Sequence, residues 1–117
     1  PNSVLLNWSA SADFGILFYE NVCLNNYLCS PNKMFEYLMA GIPVIVSNLF
    51  EMSRLVINNG IGVVAENNSI DALKKAVLSI IDLDISMLKK NVLKLQSQYN
   101  WEVQADKLLN AYHACVN

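Results

Sequence analysis

Along the chain, apolar positions recur at three- and four-residue intervals in some stretches and run without interruption in others, which separates helices from strands. Both patterns occur in succession between Ser30 and Asn48. Met34, Phe35, Leu38 and Met39 share one side of a helix about three turns long. Ser30 is placed to accept hydrogen bonds from its first turn, and Pro31 has the fixed φ and missing N–H that suit the first helical position. Gly41 falls where a helix C-terminus favours a residue that tolerates positive φ. After Pro43 the run Val44-Ile45-Val46 lacks polar alternation, as expected of a strand covered on both faces of a parallel sheet.

The flanking segments repeat the two patterns. From Ser3 to Ser11, Val4, Leu5 and Trp8 fit one face of a short helix, and the Val-Leu-Leu run equally fits a strand. Phe14 to Tyr19 reads as a first strand, and the asparagine-rich segment Glu20 to Cys29 as a loop at its carboxyl end. Asn48 to Phe50 is a second loop at that edge, followed by a helix from Glu51 to Asn58 in which Arg54, Leu55 and Ile57 set a polar side against an apolar one. Asn59-Gly60 ends this helix, and Ile61 to Ala65 reads as a third strand. Ser69 caps a helix with Leu73, Ala76, Val77, Ile80 and Ile81 on one face, and the next carries Ile85, Leu88, Val92, Leu95 and Tyr99. Asn100 caps a last helix whose stripe is Trp101, Ala105, Leu108, Tyr112 and Cys115. Alternating strands and helices imply parallel crossovers, and so a three-layer α/β/α arrangement around a partial Rossmann-like parallel sheet of about three strands, with helices at its C-terminal end. A complete doubly wound domain has about six strands, so residues 1–117 read as a single partial domain.

Composition narrows the partners. With 54% hydrophobic residues among 117, a core can form. The net charge of −2 and eight Lys and Arg residues give no basic stripe, which excludes electrostatic binding to nucleic acid. Leu38 to Val46, the longest apolar segment, is interrupted by Gly41 and Pro43 and is far shorter than the roughly 18 residues of a membrane span. Peripheral association with a membrane surface stays open. No basic segment precedes an apolar core near residue 1, so a signal peptide is not expected. Cys23, Cys29 and Cys115 are odd in number and lack Cys-x-x-Cys spacing; buried free thiols in a cytoplasmic protein are the expectation.

No G-x-G-x-x-G or P-loop pattern is present, which argues against a self-sufficient dinucleotide or ATP site. Several segments do resemble a known family when taken in order. They are Ala12-Asp13-Phe14-Gly15-Ile16, then Pro31-Asn-Lys-Met-Phe-Glu36-Tyr-Leu-Met-Ala-Gly41-Ile-Pro43-Val-Ile45, then Glu51 and Leu55-Val56 ahead of Gly60-Ile-Gly62-Val-Val64, and Tyr99-Asn-Trp101-Glu102. Together these are similar to the C-terminal half of a GT-B nucleotide-sugar glycosyltransferase of the group 1 type. The resemblance implies a domain that holds a nucleoside-diphosphate sugar as donor substrate, with no further cofactor, and that faces an N-terminal acceptor domain not contained in these residues. It implies for Glu36 the role of hydrogen-bonding the ribose hydroxyls, and a carboxylate, with two acceptor oxygens, can take both hydroxyls of a vicinal diol. Retaining members often carry a second glutamate eight positions earlier; here that position is Leu28, and Glu20, in the Tyr19-Glu20-Asn21 turn, is a stand-in.

Ser30, Pro31, Asn32 and Lys33 form the first turn of the helix, where free N–H groups and the positive end of the dipole suit a diphosphate. Lys33 adds a cation three residues before Glu36, although the same spacing fits an exposed ion pair. The donor-binding set is therefore Glu36, Lys33, Asn32, Pro31, Ser30, Glu20 and Asn21. His113 is remote in sequence from this edge, and Trp8 and Trp101 fit core anchors or helix staples better than sugar platforms. Asp82 and Asp84 lie between two helices and lack a third carboxylate at metal-binding spacing, so no metal is expected. The resulting function is transfer of a sugar from a nucleotide donor to a hydroxyl acceptor in polysaccharide or glycoconjugate synthesis, in the cytoplasm or at the inner face of the membrane. A nucleotide-sugar epimerase built on the same half, and a non-catalytic module that pairs through its open sheet edge with a second copy, are the alternatives.

Overall fold

The Val-Ile-Val run after Pro43 becomes the middle strand of the sheet, flanked on both edges by other short apolar runs. In the computed structural model, which describes residues 4–116, the elements follow as α1 (Leu5–Ala10), β1 (Gly15–Leu17), α2 (Leu24–Leu28), α3 (Asn32–Met39), β2 (Val44–Ser47), α4 (Phe50–Asn59), β3 (Gly62–Ala65), α5 (Ile70–Asp82), α6 (Ile85–Tyr99) and α7 (Trp101–Val116). The sheet has the order β1-β2-β3 and is parallel throughout, with Gly15 beside Val44, and Val44 beside Gly62.

Two hydrophobic cores lie on the two faces of this sheet. Because side chains alternate along a strand, Val44 and Val46 point to one face and Ile45 to the other. The first core joins Leu17, Val44 and Val46 to Met34 and Leu38 of α3, Met52, Leu55 and Val56 of α4, and Val92 and Leu95 of α6. The second joins Ile45 and Ala65 to Ala76 and Ile80 of α5 and to Leu88 of α6. Thus α3 and α4 share a face, as successive crossovers of one hand require, α5 covers the opposite one, and α6 contributes to both. The expected three-layer α/β/α architecture is what forms. At β1 the second face is left open: Ile16, level with Ile45 and Val63, is 42% exposed.

Several elements differ from expectation for physical reasons. β1 is three residues long rather than six, because Tyr19 donates its N–H to Ser47 Oγ (2.7 Å) and leaves the ladder. The segment Glu20 to Cys29 is not a continuous loop but contains α2, which is held by contact of Tyr27 with Phe50 of α4 (ring centroids 5.8 Å apart). In α4 the inward stripe is Met52, Leu55 and Val56, and Ile57 points to solvent, as does Ile81 in α5. The opening segment takes the helical alternative as α1; Ser3 lies outside the described residues. α7 buries no residue, and from Asp106 to Val116 every position is exposed, so Leu108, Tyr112 and Cys115 of its apolar stripe face no partner among the described residues. Accordingly Trp8 and Trp101, 74% and 73% exposed, are not core anchors. Nor are the thiols buried: Cys23 and Cys115 are exposed and Cys29 is half-buried, because the first two sit at the start of α2 and on α7, outside both cores.

Caps fix the helix ends. Ser69 Oγ accepts from Ala72 N, Asp84 Oδ1 from Ser86 N and Met87 N, and Asn100 Oδ1 from Val103 N. α3 ends at Gly41, whose φ of +77° is left-handed, and Gln96 of α6 reaches across to donate to Leu38 O (2.7 Å) and Met39 O (3.1 Å). This amide gives Met39 O its partner and Leu38 O, which already accepts from Gly41 N (3.0 Å), a second one, and it fixes α3 against α6. Replacing Gln96 by Leu is expected to cost about 1–3 kcal/mol, read as a lowered urea midpoint, since Met39 O loses its partner while Leu38 O keeps only Gly41 N. Gly62 lies so close to β2 that a Cβ there would collide with the Val44 carbonyl, whereas a Cβ at Gly41 meets nothing nearer than 3.8 Å. Gly62→Ala should therefore destabilise by roughly 3 kcal/mol or more, and Gly41→Ala by only about 1–2 kcal/mol of left-handed strain. The reverse ranking in chemical denaturation would contradict this packing.

Candidate functional site

All three strands point the same way, so the loops that follow them gather along one edge of the sheet. After β1 come Glu20 and Asn21, after β2 comes Asn48, and after β3 come Glu66, Asn67 and Asn68; these six side chains surround an open cleft of about 400 Å³ whose floor includes the buried Leu49. Hydrogen bonds join the loop after β3 to that after β1 and hold the others to the helices that follow them. Asn68 Nδ2 donates to Tyr19 O (2.6 Å), Ser53 Oγ to Asn48 Oδ1 (3.1 Å), and Asn26 Nδ2 to Glu20 O (2.9 Å). Ser69 N donates to Asn67 Oδ1 (2.8 Å), which shapes the turn after β3. Polar residues accumulate here because the strands end and their successors must bond outside the ladder.

The first turn of α3 lies at the same edge, because a crossover helix runs back along the strands it connects. Pro31, with φ −67° and ψ 146°, occupies the N-cap position and the helix begins at Asn32, one residue later than the expected start. The expected cap from Ser30 is therefore absent: Ser30 lies one position too far back, and no side chain caps the helix. Pro31 O accepts from Met34 N (2.9 Å), which leaves the N–H groups of Asn32 and Lys33 without a helix carbonyl. Lys33 is exposed and forms no ion pair with Glu36; among the described residues the salt bridge that forms is Arg54 to Glu51, at 2.6 Å within α4. Its hydrogen bond from Arg54 to Glu51, and then their attraction, raise the Arg54 pKa.

Glu36 is half-buried one turn into α3, and its carboxylate accepts no hydrogen bond from the described residues. With Asn32, Phe35, Met39 and Leu6 it lines a shallow groove of about 340 Å³ between α3 and α1. The expected donor-binding residues thus fall into two concavities, Glu20 with Asn21 in the cleft and Asn32 with Glu36 in the groove, while Ser30, Pro31 and Lys33 line neither. The cleft residues Asn48, Glu66, Asn67 and Asn68 were not singled out from sequence. Their only signal is position, directly after an uninterrupted apolar strand. His113 is on the exposed part of α7. Among the described residues no three His, Cys, Asp or Glu side chains gather closely enough to hold a metal, and no helix is long and apolar enough to cross a membrane.

Chemically, this edge offers unbonded backbone N–H groups, one lysine, several carboxamides and three carboxylates that accept nothing from the described residues. Such a set can bind an anion at the helix and hydroxyl groups beside it. Comparison with known proteins gives the edge a context. The family described as glucosyltransferase 3-like, C-terminal domain, matches residues 1–111. Neither the curated proteins nor the solved structures contain a match. The family match covers nearly all of the 117 residues and includes every strand and α3, so the chain belongs to the glucosyltransferase 3-like C-terminal domain family and is a glycosyltransferase-related domain.

Proposed function

We propose that the chain is the donor-binding part of a GT-B, group 1-like glycosyltransferase, which holds a nucleoside-diphosphate sugar while its sugar passes to a hydroxyl acceptor in polysaccharide or glycoconjugate synthesis. In this reading residues 1–117 form one partial domain, and the acceptor is presented by an N-terminal domain. The observation that carries the proposal is the uncapped first turn of α3 at the carboxyl edge of the sheet, with the unpaired carboxylate of Glu36 one turn further on. The diphosphate docks on the N–H groups of Asn32 and Lys33 and on the Lys33 ammonium, and Glu36 takes the two ribose hydroxyls.

The same placement assists the chemistry. When the anomeric C–O bond breaks, the departing diphosphate gains negative charge, so donors already oriented toward it stabilise the transition state more than the bound donor. The α3 dipole and Lys33 supply that stabilisation without reorganising, because α3 is fixed at its other end by Gln96 and Gly41. No side chain of the described residues is assigned as a general base.

A thermal-shift panel of uridine, guanosine and adenosine diphosphates tests the reading on this chain. A diphosphate present at about a hundred times its Kd stabilises by about 2.7 kcal/mol, enough to raise Tm by several degrees. One base should produce such a rise, and a panel in which none does would contradict the proposal. Glu36→Ala should raise the Kd of the active diphosphate by roughly ten- to a hundredfold, the worth of hydrogen bonds to a charged group of about 1.5–3 kcal/mol, while the unliganded Tm stays where it was. An unchanged Kd would remove Glu36 from the ribose role.

A further inference from the structure

The cleft at the carboxyl edge carries no cation. Among its lining residues are Glu20 and Glu66 but no Lys, Arg or His, so it repels phosphate rather than holding it. Its remaining hydrogen-bonding capacity is also specific. Asn48 Oδ1 is occupied by Ser53 Oγ and Asn67 Oδ1 by Ser69 N, which turns the Nδ2 groups of both residues into the free donors. The Glu20 and Glu66 carboxylates accept no hydrogen bond from the described residues, and an ionised carboxylate can only accept. A ligand that engages these four groups donates to two carboxylates and accepts from two amides, and Asn21 and Asn68 Oδ1 add further neutral partners beside them. Hydroxyl groups do both, an ammonium group satisfies the carboxylates, and a carboxylate on the ligand fails against them. At about 400 Å³ the cleft is within the usual size range of small-molecule sites.

We propose that this cleft is the subsite for the transferred sugar ring, that it accepts neutral and amino sugars and rejects uronates, and that Glu20 and Glu66 set this selectivity. The assignment rests on the donor reading above and adds to it a division of labour: charge binding at α3, hydroxyl binding in the cleft. Asn68 acts as a positioning residue, since its bond to Tyr19 O joins the loop after β3 to the loop after β1.

The test is nuclear magnetic resonance of the isotope-labelled chain, following the side-chain amides of Asn48 and Asn67 at neutral pH. Methyl α-glucoside and methyl α-glucosaminide should shift these signals, and methyl α-glucuronide should bind at least about tenfold more weakly. In the double variant Glu20→Gln, Glu66→Gln that gap should shrink to roughly threefold or less, because the repelling charges are gone and the hydrogen-bonding shape remains. Glucuronide binding as tight as glucoside, an unchanged gap in the variant, or silence of both amides toward all three sugars at about 100 mM would each overturn the subsite. A parallel titration with uridine, guanosine and adenosine diphosphates reads the backbone amides of Asn32 and Lys33. Failure there counts against the donor reading at α3, whereas failure at Asn48 and Asn67 counts against the sugar subsite.

Discussion

The complete removal of β2 from water is the constraint on which the rest depends. Val44, Ile45 and Val46 have no exposed surface, and each such side chain contributes about 1.5–3 kcal/mol of burial. Burial on both faces needs both helix layers, so α3 and α4 must pack on one side and α5 on the other, with α6 closing both. It also requires two strand neighbours, and β3 comes so close that Gly62 has no room for a Cβ. The parallel direction follows from the helical crossovers, and with it the gathering of the loops after all three strands along one edge.

That edge is chemically divided, and the division follows from how each side is built. A helix entered through proline, with no side chain to cap it, leaves N–H groups facing outward and favours negative charge. Loops that leave strands through asparagine and glutamate use some of their amide oxygens to hold their own turns and the helix that follows, and present amides and carboxylates instead. An anion and a polyol therefore find different partners along the same edge, and a nucleotide sugar contains both. Gln96, from a helix 57 and 58 residues away in sequence from the carbonyls it binds, keeps the divided edge in place by fixing the far end of α3.

Much of this arrangement was legible in the order of residues. The apolar run at Val44, the stripe of Met34 and Leu38, the caps at Ser69 and Asn100, and the glycines at 41 and 60 each carry a local reason for their structure, and each behaves as that reason predicts. What was not legible depends on contacts distant in sequence. Tyr27 packing on Phe50 turns an asparagine-rich segment into α2, and Ser47 Oγ ends β1 early by taking the Tyr19 N–H. Periodicity predicted a stripe on α7 but could not say whether anything covers it, and among the described residues nothing buries it from Leu108 onward. The same limit hid half of the cleft. Glu20 and Asn21 were found through the loop after β1, but Glu66, Asn67 and Asn68 join them only because β3 lies beside β2 in the folded sheet.

The central claim is that the carboxyl edge, and no other part of the surface, receives a nucleoside-diphosphate sugar. Hydrogen–deuterium exchange with and without such a ligand tests it most directly. The account predicts slowed exchange confined to the loops after β1, β2 and β3 and to the first two turns of α3, which carry Lys33 and Glu36. Protection instead around Asn58, Asn91 and Lys94, which line a polar cavity of about 160 Å³ between α4 and α6, or no protection at saturating ligand, would contradict it.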